Sequence, residues 1–307
     1  MRGIWLAGAM LAVALGACGR QSAEVDDIGA CMAAEEAEAK IEACTVATQN
    51  QELTPEQRSL AFSTRADAQD EAGDVTAALR DYGAALELDE ENPAALLGRG
   101  RILLASGQLD AAEPVLRRAV ELNQLGEANQ LLGQIAVRRG EFSEAITLFN
   151  AALDHEPRSA VALAGRARAK QRLGDIEGAA NDYSAAIRAD DHLAEARAGR
   201  CWLDLNEGRE FERARRDADA AVAANPNYVE GQLCRGVLQL RESQWAEAKA
   251  SFDAALAVES GNPIALFGRG VARRRSGDRD GTEDMNQARD FDGNIGAQFD
   301  KFGVRTY

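Results

Sequence analysis

Aromatic residues make up only 5% of the 307 residues, and there are just 6 prolines and 2 histidines. Strands favour aromatic and β-branched side chains, so this shortage argues against a sheet protein. Basic charge is also scarce: 35 Lys and Arg stand against 50 Asp and Glu, a formal net charge of −15. A nucleic-acid binder needs a basic face to displace counterions from phosphates, and this chain is not built for that role. His155 and His192 fall at predicted helix ends, where turns are exposed, so neither a metal site nor a histidine-based nucleophile relay is supported. No glycine-rich loop has phosphate-cradling spacing. The carboxylates show no spacing that would force two of them into one cleft with separated pKa values. The chain therefore reads as a non-enzyme without a cofactor. What is plentiful is apolar material, 46% of residues, enough to bury a large core in a helical, globular chain.

Arg2 is the one charge before an apolar run from Ile4 to Leu15, and Gly16 and Ala17 follow. Residues 1–17 have the form of a secretory signal peptide, too short to span a bilayer as a mature helix. The end of the run, Leu15-Gly16-Ala17-Cys18, resembles the bacterial lipobox. That resemblance implies cleavage before a lipidated Cys18, a membrane anchor through the N-terminal lipid, and, with Gly19 next, an outer-membrane lipoprotein facing the periplasm. Cleavage after Ala14 or Ala17 is the alternative and leaves a soluble periplasmic or secreted protein. Residues 18–27 are small, polar and acidic and read as a tether.

Gly73, Gly107, Gly140, Gly174 and Gly208 recur every 33–34 residues, and the period continues through Ser243 to Gly277. Seven residues before each stands a small residue: Ala66, Gly100, Gly133, Ala167, Cys201, Gly236 and Gly270. After each comes an alanine (Ala78, Ala112, Ala145, Ala179, Ala214, Ala248). A second alanine follows, often three residues after a bulky side chain such as Tyr82, Phe149, Tyr183, Phe252 or Met285. The physical reading is two short antiparallel helices per period. Small residues sit where backbones approach, the glycine makes the turn, and the bulky side chain plugs the gap. Pro157 and Pro226 stop two of the second helices.

This order of small residue, turn glycine, alanine, aromatic, alanine and proline resembles the tetratricopeptide repeat, most plainly over residues 132–153. The resemblance implies an all-α, right-handed solenoid of seven hairpins over 59–292, divided 59–92, 93–125, 126–159, 160–193, 194–228, 229–262 and 263–292. Residues 28–58 read as a degenerate N-terminal hairpin. Thr54-Pro55-Glu56-Gln57 is a capping box that opens the first true repeat. In 293–307, Ile295, Phe299 and Phe302 share one helical face, which predicts a C-terminal capping helix, with a detachable partner-reaching peptide as the alternative.

Setting Cys18 aside leaves four cysteines. Cys31 and Cys44 flank Glu35-Glu36-Ala37-Glu38 in alanine-rich helical sequence, so a hairpin turning there faces them together. A disulfide is expected in an oxidising compartment, with two buried thiols as the alternative. Cys201 and Cys234 stand at different internal places of neighbouring repeats and are expected to be packed thiols, with a bond between them as the alternative.

The resemblance also implies that first helices line a concave groove. It directs into that groove an acidic set (Asp67, Asp70, Glu71), then a polar and basic set (Arg101, Gln130, Gln134, Arg138, Arg168, Gln171, Arg172). An apolar set with an arginine rim follows (Trp202, Leu205, Leu233, Val237, Leu240, Arg241, Ile264, Phe267, Val271, Arg274, Arg275). Such a groove suits an extended peptide or helix of a protein partner carrying hydrophobic anchors and carboxylates. The competing reading is that the apolar members pack between helices and the arginines pair with neighbouring acids. The groove positions lack the lysines of a chaperone-tail clamp. The expected function is an envelope adaptor or scaffold. The alternatives are a soluble binder of a small ligand or glycan, with a closed pocket near Trp202, and a self-associating structural protein.

Overall fold

Thr54, Asp74, Asn92, Ser159, Asp175 and Asn262 cap helices with their side chains, and glycines in positive φ make most of the turns within hairpins. The computed structural model describes residues 20–122 and 125–305, and among these every regular element is an α-helix. The chain divides into two compact units, residues 1–131 and 132–307.

The first unit holds α1 (Arg20–Ala33), α2 (Ala37–Gln49), α3 (Pro55–Glu71), α4 (Val75–Leu88), α5 (Pro93–Ala105), α6 (Leu109–Glu121) and the start of α7 (Leu125–Arg139). Thr54 caps α3 in a full capping box with Gln57, and Pro55 supplies the first helical residue without wasting a donor. The Asp74 and Asn92 side chains cap α4 and α5 by accepting from the backbone N–H of Ala77 and Ala95. Helix α1 begins at Arg20, within the stretch expected to be a tether. Gln21, Ala23 and Glu24 favour helix, and neither proline nor glycine interrupts them before Gly29. The hairpin α1–α2 is closed by a disulfide between Cys31 and Cys44, Cα–Cα 4.5 Å. Cys18 and the signal segment lie outside the described residues.

The second unit holds the rest of α7, then α8 (Phe142–His155), α9 (Ala160–Arg172), α10 (Ile176–Ala189), α11 (Ala194–Asn206) and α12 (Phe211–Ala224). It continues with α13 (Val229–Arg241), α14 (Trp245–Val258), α15 (Pro263–Arg275), α16 (Gly281–Phe291) and the seven-residue α17 (Ile295–Lys301). Within it, each first helix packs on the next first helix, α9 on α11, α11 on α13 and α13 on α15. The second helices α10, α12 and α14 each wedge between two first helices. First helices therefore form one layer and second helices the other.

Two devices hold neighbouring hairpins in register. The first is the bulky side chain of the second helix, which lies against glycines of two repeats. Phe149 meets Gly133 of its own hairpin and Gly165 of the next, and Phe252 does the same between Gly236 and Gly268. Both rings are fully buried, each contributing about 1.5–3 kcal/mol. The second is an arginine placed just before the small residue of the first helix. Arg65, Arg166, Arg200 and Arg269 each grip a carboxylate on their own second helix, Asp81, Asp182, Asp217 and Asp284, through two bonds of 2.6–2.9 Å. The remaining nitrogen reaches the second helix of the preceding hairpin, at Thr45 and Thr48, Asn150, Ser184 and Asp253 respectively. A forked guanidinium suits this because it can hold one carboxylate with two nitrogens and still offer a third.

Cys201 and Cys234 are joined, Cα–Cα 6.5 Å, which corrects the expectation of two packed thiols. Their different places within the repeat coincide because α11 and α13 pack directly side by side.

Candidate functional site

The first helices carry the candidate site residues, and their composition differs between the two units. In the first unit, the Tyr82 hydroxyl donates to Asp67 at 2.5 Å, and Arg101 pairs with Asp70 at 3.1 Å and Glu127 at 3.9 Å. Burial lifts the Asp67 carboxyl above the usual carboxylate range, with the Tyr82 bond working against it. Burial and the adjacent Asp67 push the Tyr82 phenol up as well. Arg101 is thus committed to acids of its own unit.

In the second unit an open cleft of about 170 Å³ is lined by Gln134, Val137 and Arg138 of α7, Val161, Gly165 and Arg168 of α9, and Glu195 of α11, with Phe149 beneath. Arg168 pairs with Glu195 at 3.0 Å while its side chain stays 40% exposed. Burial opposes the Arg168 charge, but Glu195, Tyr228, Tyr183 and Glu230 outweigh it and hold its pKa above the ordinary value. Burial pushes the Tyr183 phenol up to about 12, and its hydroxyl bonds to Gln171 at 3.3 Å. Arg172 lies over the Phe142 ring at 4.7 Å. The structure thus brings Gln134, Arg138 and Arg168 to one cleft, with Arg172 on the same helix as Arg168. The sequence reading passed over Val161 and Glu195, although they hold the second place of their repeats, one of the groove-directed places. It also passed over Gly165, whose bare backbone makes room for the Phe149 ring.

The apolar end differs from expectation. Leu205, Val237 and Phe267 were assigned to the partner surface, yet all three are 0% exposed. Leu233, Leu240 and Val271 are buried with them. The physical reason is that they pack into one cluster with neighbouring helices and with Ile295, Phe299, Phe302 and Val304 of the segment after α16. Phe299 packs on Phe267 with ring centroids 4.9 Å apart, and Phe302 packs on Trp202 at 5.7 Å. Arg241 stacks on Phe211 at 3.8 Å and donates to the Phe302 carbonyl. Arg274 is exposed at the rim.

His155 and His192 are both exposed. Among the described residues no group of three or more His, Cys, Asp or Glu is arranged to hold a metal ion, and no helix is long and apolar enough to cross a membrane.

Comparison with known proteins matches the tetratricopeptide repeat over residues 63–127, 131–194 and 233–281, more than half of the chain. The chain is 29% identical over 131 residues to the CTR9 homolog of Arabidopsis thaliana, covering 42% of this chain and 12% of that protein. It is 27% identical over 181 residues to human tetratricopeptide repeat protein 6, covering 58% and 34%. The chain therefore spans 12% and 34% of the length of these two relatives. Among solved structures, Cut9–Hcn1 of the APC/C aligns with TM-score 0.64 at 11% identity, over 84% of this chain and 57% of that one. Pseudomonas aeruginosa pilF aligns with TM-score 0.57 at 18% identity, over 70% and 97%. At such identities the likeness is one of fold.

Proposed function

Because the chain belongs to the tetratricopeptide repeat family, whose fold suggests a protein–protein interaction scaffold, we propose that it is a non-enzymatic adaptor holding a partner peptide or helix against its first-helix layer. The observation that carries this reading is the cleft between α7, α9 and α11. It sets a half-exposed guanidinium, an amide and two valines over a glycine-lined floor. An acidic side chain of a partner competes with Glu195 for Arg168, and its apolar neighbour rests on Val137 and Val161. A cavity of about 170 Å³ is small beside the roughly 300–1,000 Å³ of sites that enclose small ligands, which favours a peptide lying across the cleft over an engulfed metabolite.

The same proposal places the protein at the bacterial envelope, anchored through lipid on Cys18 and facing the periplasm. Support comes from the apolar run before Cys18 and from the two disulfides, which suit an oxidising compartment. The test is crosslinking and pulldown from intact envelopes with wild type, Cys18→Ser and Arg168→Glu, together with the intact mass of the mature N-terminus. The expected result is an acylated wild type whose captured protein is lost in Arg168→Glu with helical circular dichroism unchanged. Undiminished capture by Arg168→Glu refutes the cleft, and an unacylated N-terminus refutes the anchor.

A further inference from the structure

The apolar stretch of the first-helix layer, over α11, α13 and α15, is already covered, and what covers it has the form of a ligand. Residues 295–305 cross three successive first helices: Phe302 sits on Trp202 of α11, the Phe302 carbonyl accepts from Arg241 of α13, and Phe299 sits on Phe267 of α15. The Arg275 guanidinium donates to the carbonyl of Arg305 at 3.0 Å. Anchoring thus comes from two aromatic side chains three residues apart, a buried valine at 304, and arginines reading main-chain carbonyls. Gly303, in positive φ, lies against the Arg241 guanidinium, where a side chain would collide with it. Aromatic anchors in pockets combined with donors to main-chain carbonyls are how grooves recognise peptides in general.

The segment depends on these contacts for its shape. Helix α17 has seven residues, too few to be stable alone. Two of the segment's polar ties, from Arg241 of α13 and Arg275 of α15, are made to main-chain carbonyls.

We propose that α11, α13 and α15 form a peptide-binding site closed by the chain's own residues 295–305, and that its exchange partner is a segment of another protein with the pattern Phe-x-x-Phe-Gly-Val. This deepens the adaptor reading by naming a second ligand chemistry, but it rests on different residues and is tested without any captured protein. A tethered segment competes at an effective concentration on the order of 1 mM, so a free peptide that binds the open site at about 10 μM is weakened roughly a hundredfold by the closed one.

The experiment uses the full chain and a labelled synthetic peptide of residues 292–305, read by fluorescence anisotropy. Wild type is expected to bind weakly. Phe302→Ala, which loosens the resident segment, should bind at least tenfold more tightly, and adding Trp202→Ala to that variant should remove the gain. A peptide with both phenylalanines replaced by alanine should not bind either form. Equal weak binding by wild type and a folded Phe302→Ala overturns the proposal. Should Phe302→Ala fail to fold, hydrogen exchange on wild type decides: saturating peptide should deprotect amides 295–304, and unchanged protection overturns it. A concentration-dependent wild-type dimer, seen by light scattering and abolished by Phe302→Ala, would assign the site to a second copy of this chain and overturn the claim of a different partner.

Discussion

Replacing Asp217 by alanine removes the carboxylate at the centre of the arginine ladder. Its side chain is 2% exposed and accepts from Arg200 at 2.7 and 2.9 Å and from Arg197 at 3.3 Å. The variant leaves two guanidiniums side by side. Arg200 retains only Ser184 at 3.1 Å, and Arg197 retains the Asp191 carbonyl at 2.7 Å. Removing one partner of a buried pair costs about 3–5 kcal/mol, because the remaining charge is stranded. Here the arginine side chains are 15% and 19% exposed and recover some hydration, so the lower end, about 3 kcal/mol, is expected. Urea unfolding followed by circular dichroism measures the loss. Hydrogen exchange should place it in α10, α11 and α12, since a repeat array opens by neighbouring units. The double variant Arg200→Met with Asp217→Leu should regain at least about 1 kcal/mol over Asp217→Ala, because an apolar pair of similar volume leaves less buried charge. A loss below about 1 kcal/mol, the value of an exposed pair, would refute the ladder as the inter-repeat clamp.

Gly165→Ala places a methyl group against the Phe149 ring and should cost about 1–3 kcal/mol by overpacking. Gly83→Ala, which meets nothing within 4 Å on α4, should gain about 0.5–1 kcal/mol; matched thermal melts compare the two. Ser243 stands in the left-handed region, φ 61°, where the other repeat turns have glycine. Ser243→Gly should therefore stabilise by roughly 0.5–1 kcal/mol, the relief of left-handed strain less the entropy glycine adds to the unfolded chain. Burial raises the Asp182 pKa, but bonds from Arg166 and Lys170 outweigh it and hold the carboxyl below the usual range. Its contribution is thus fully present above an unfolded value of about 3.9 and fades as pH falls through the lower folded one. Asp182→Asn should flatten that acid limb in urea midpoints measured from pH 7 to pH 3.

The hairpin architecture was legible in the sequence because each device that makes a repeat is local and periodic. Turn glycines, small residues at helix contacts and bulky plugs recur every 33–35 residues, so position alone identifies them. The capping box at Thr54 and Gln57 was legible for the same reason, since both partners lie within one turn. The arginine ladder had a signal too: an arginine before the small residue and an aspartate before the plug, at Arg166 and Asp182 or Arg269 and Asp284. Only the folded hairpin shows that the two meet, about 16 residues apart in sequence.

The partner surface was decided by tertiary structure. A leucine, valine or phenylalanine at a groove-directed place is identical in sequence whether it faces solvent, a ligand or the chain itself. Phe267 packs under Phe299, and Leu205 and Val237 are buried in the same cluster, which takes in both the neighbouring helices and a segment that returns from up to about a hundred positions later. Cys201 and Cys234 join because α11 and α13 pack side by side across an intervening helix. The helical face of Ile295, Phe299 and Phe302 announced a capping helix, whereas which groove-directed side chains share its cluster depends on packing that no local pattern encodes.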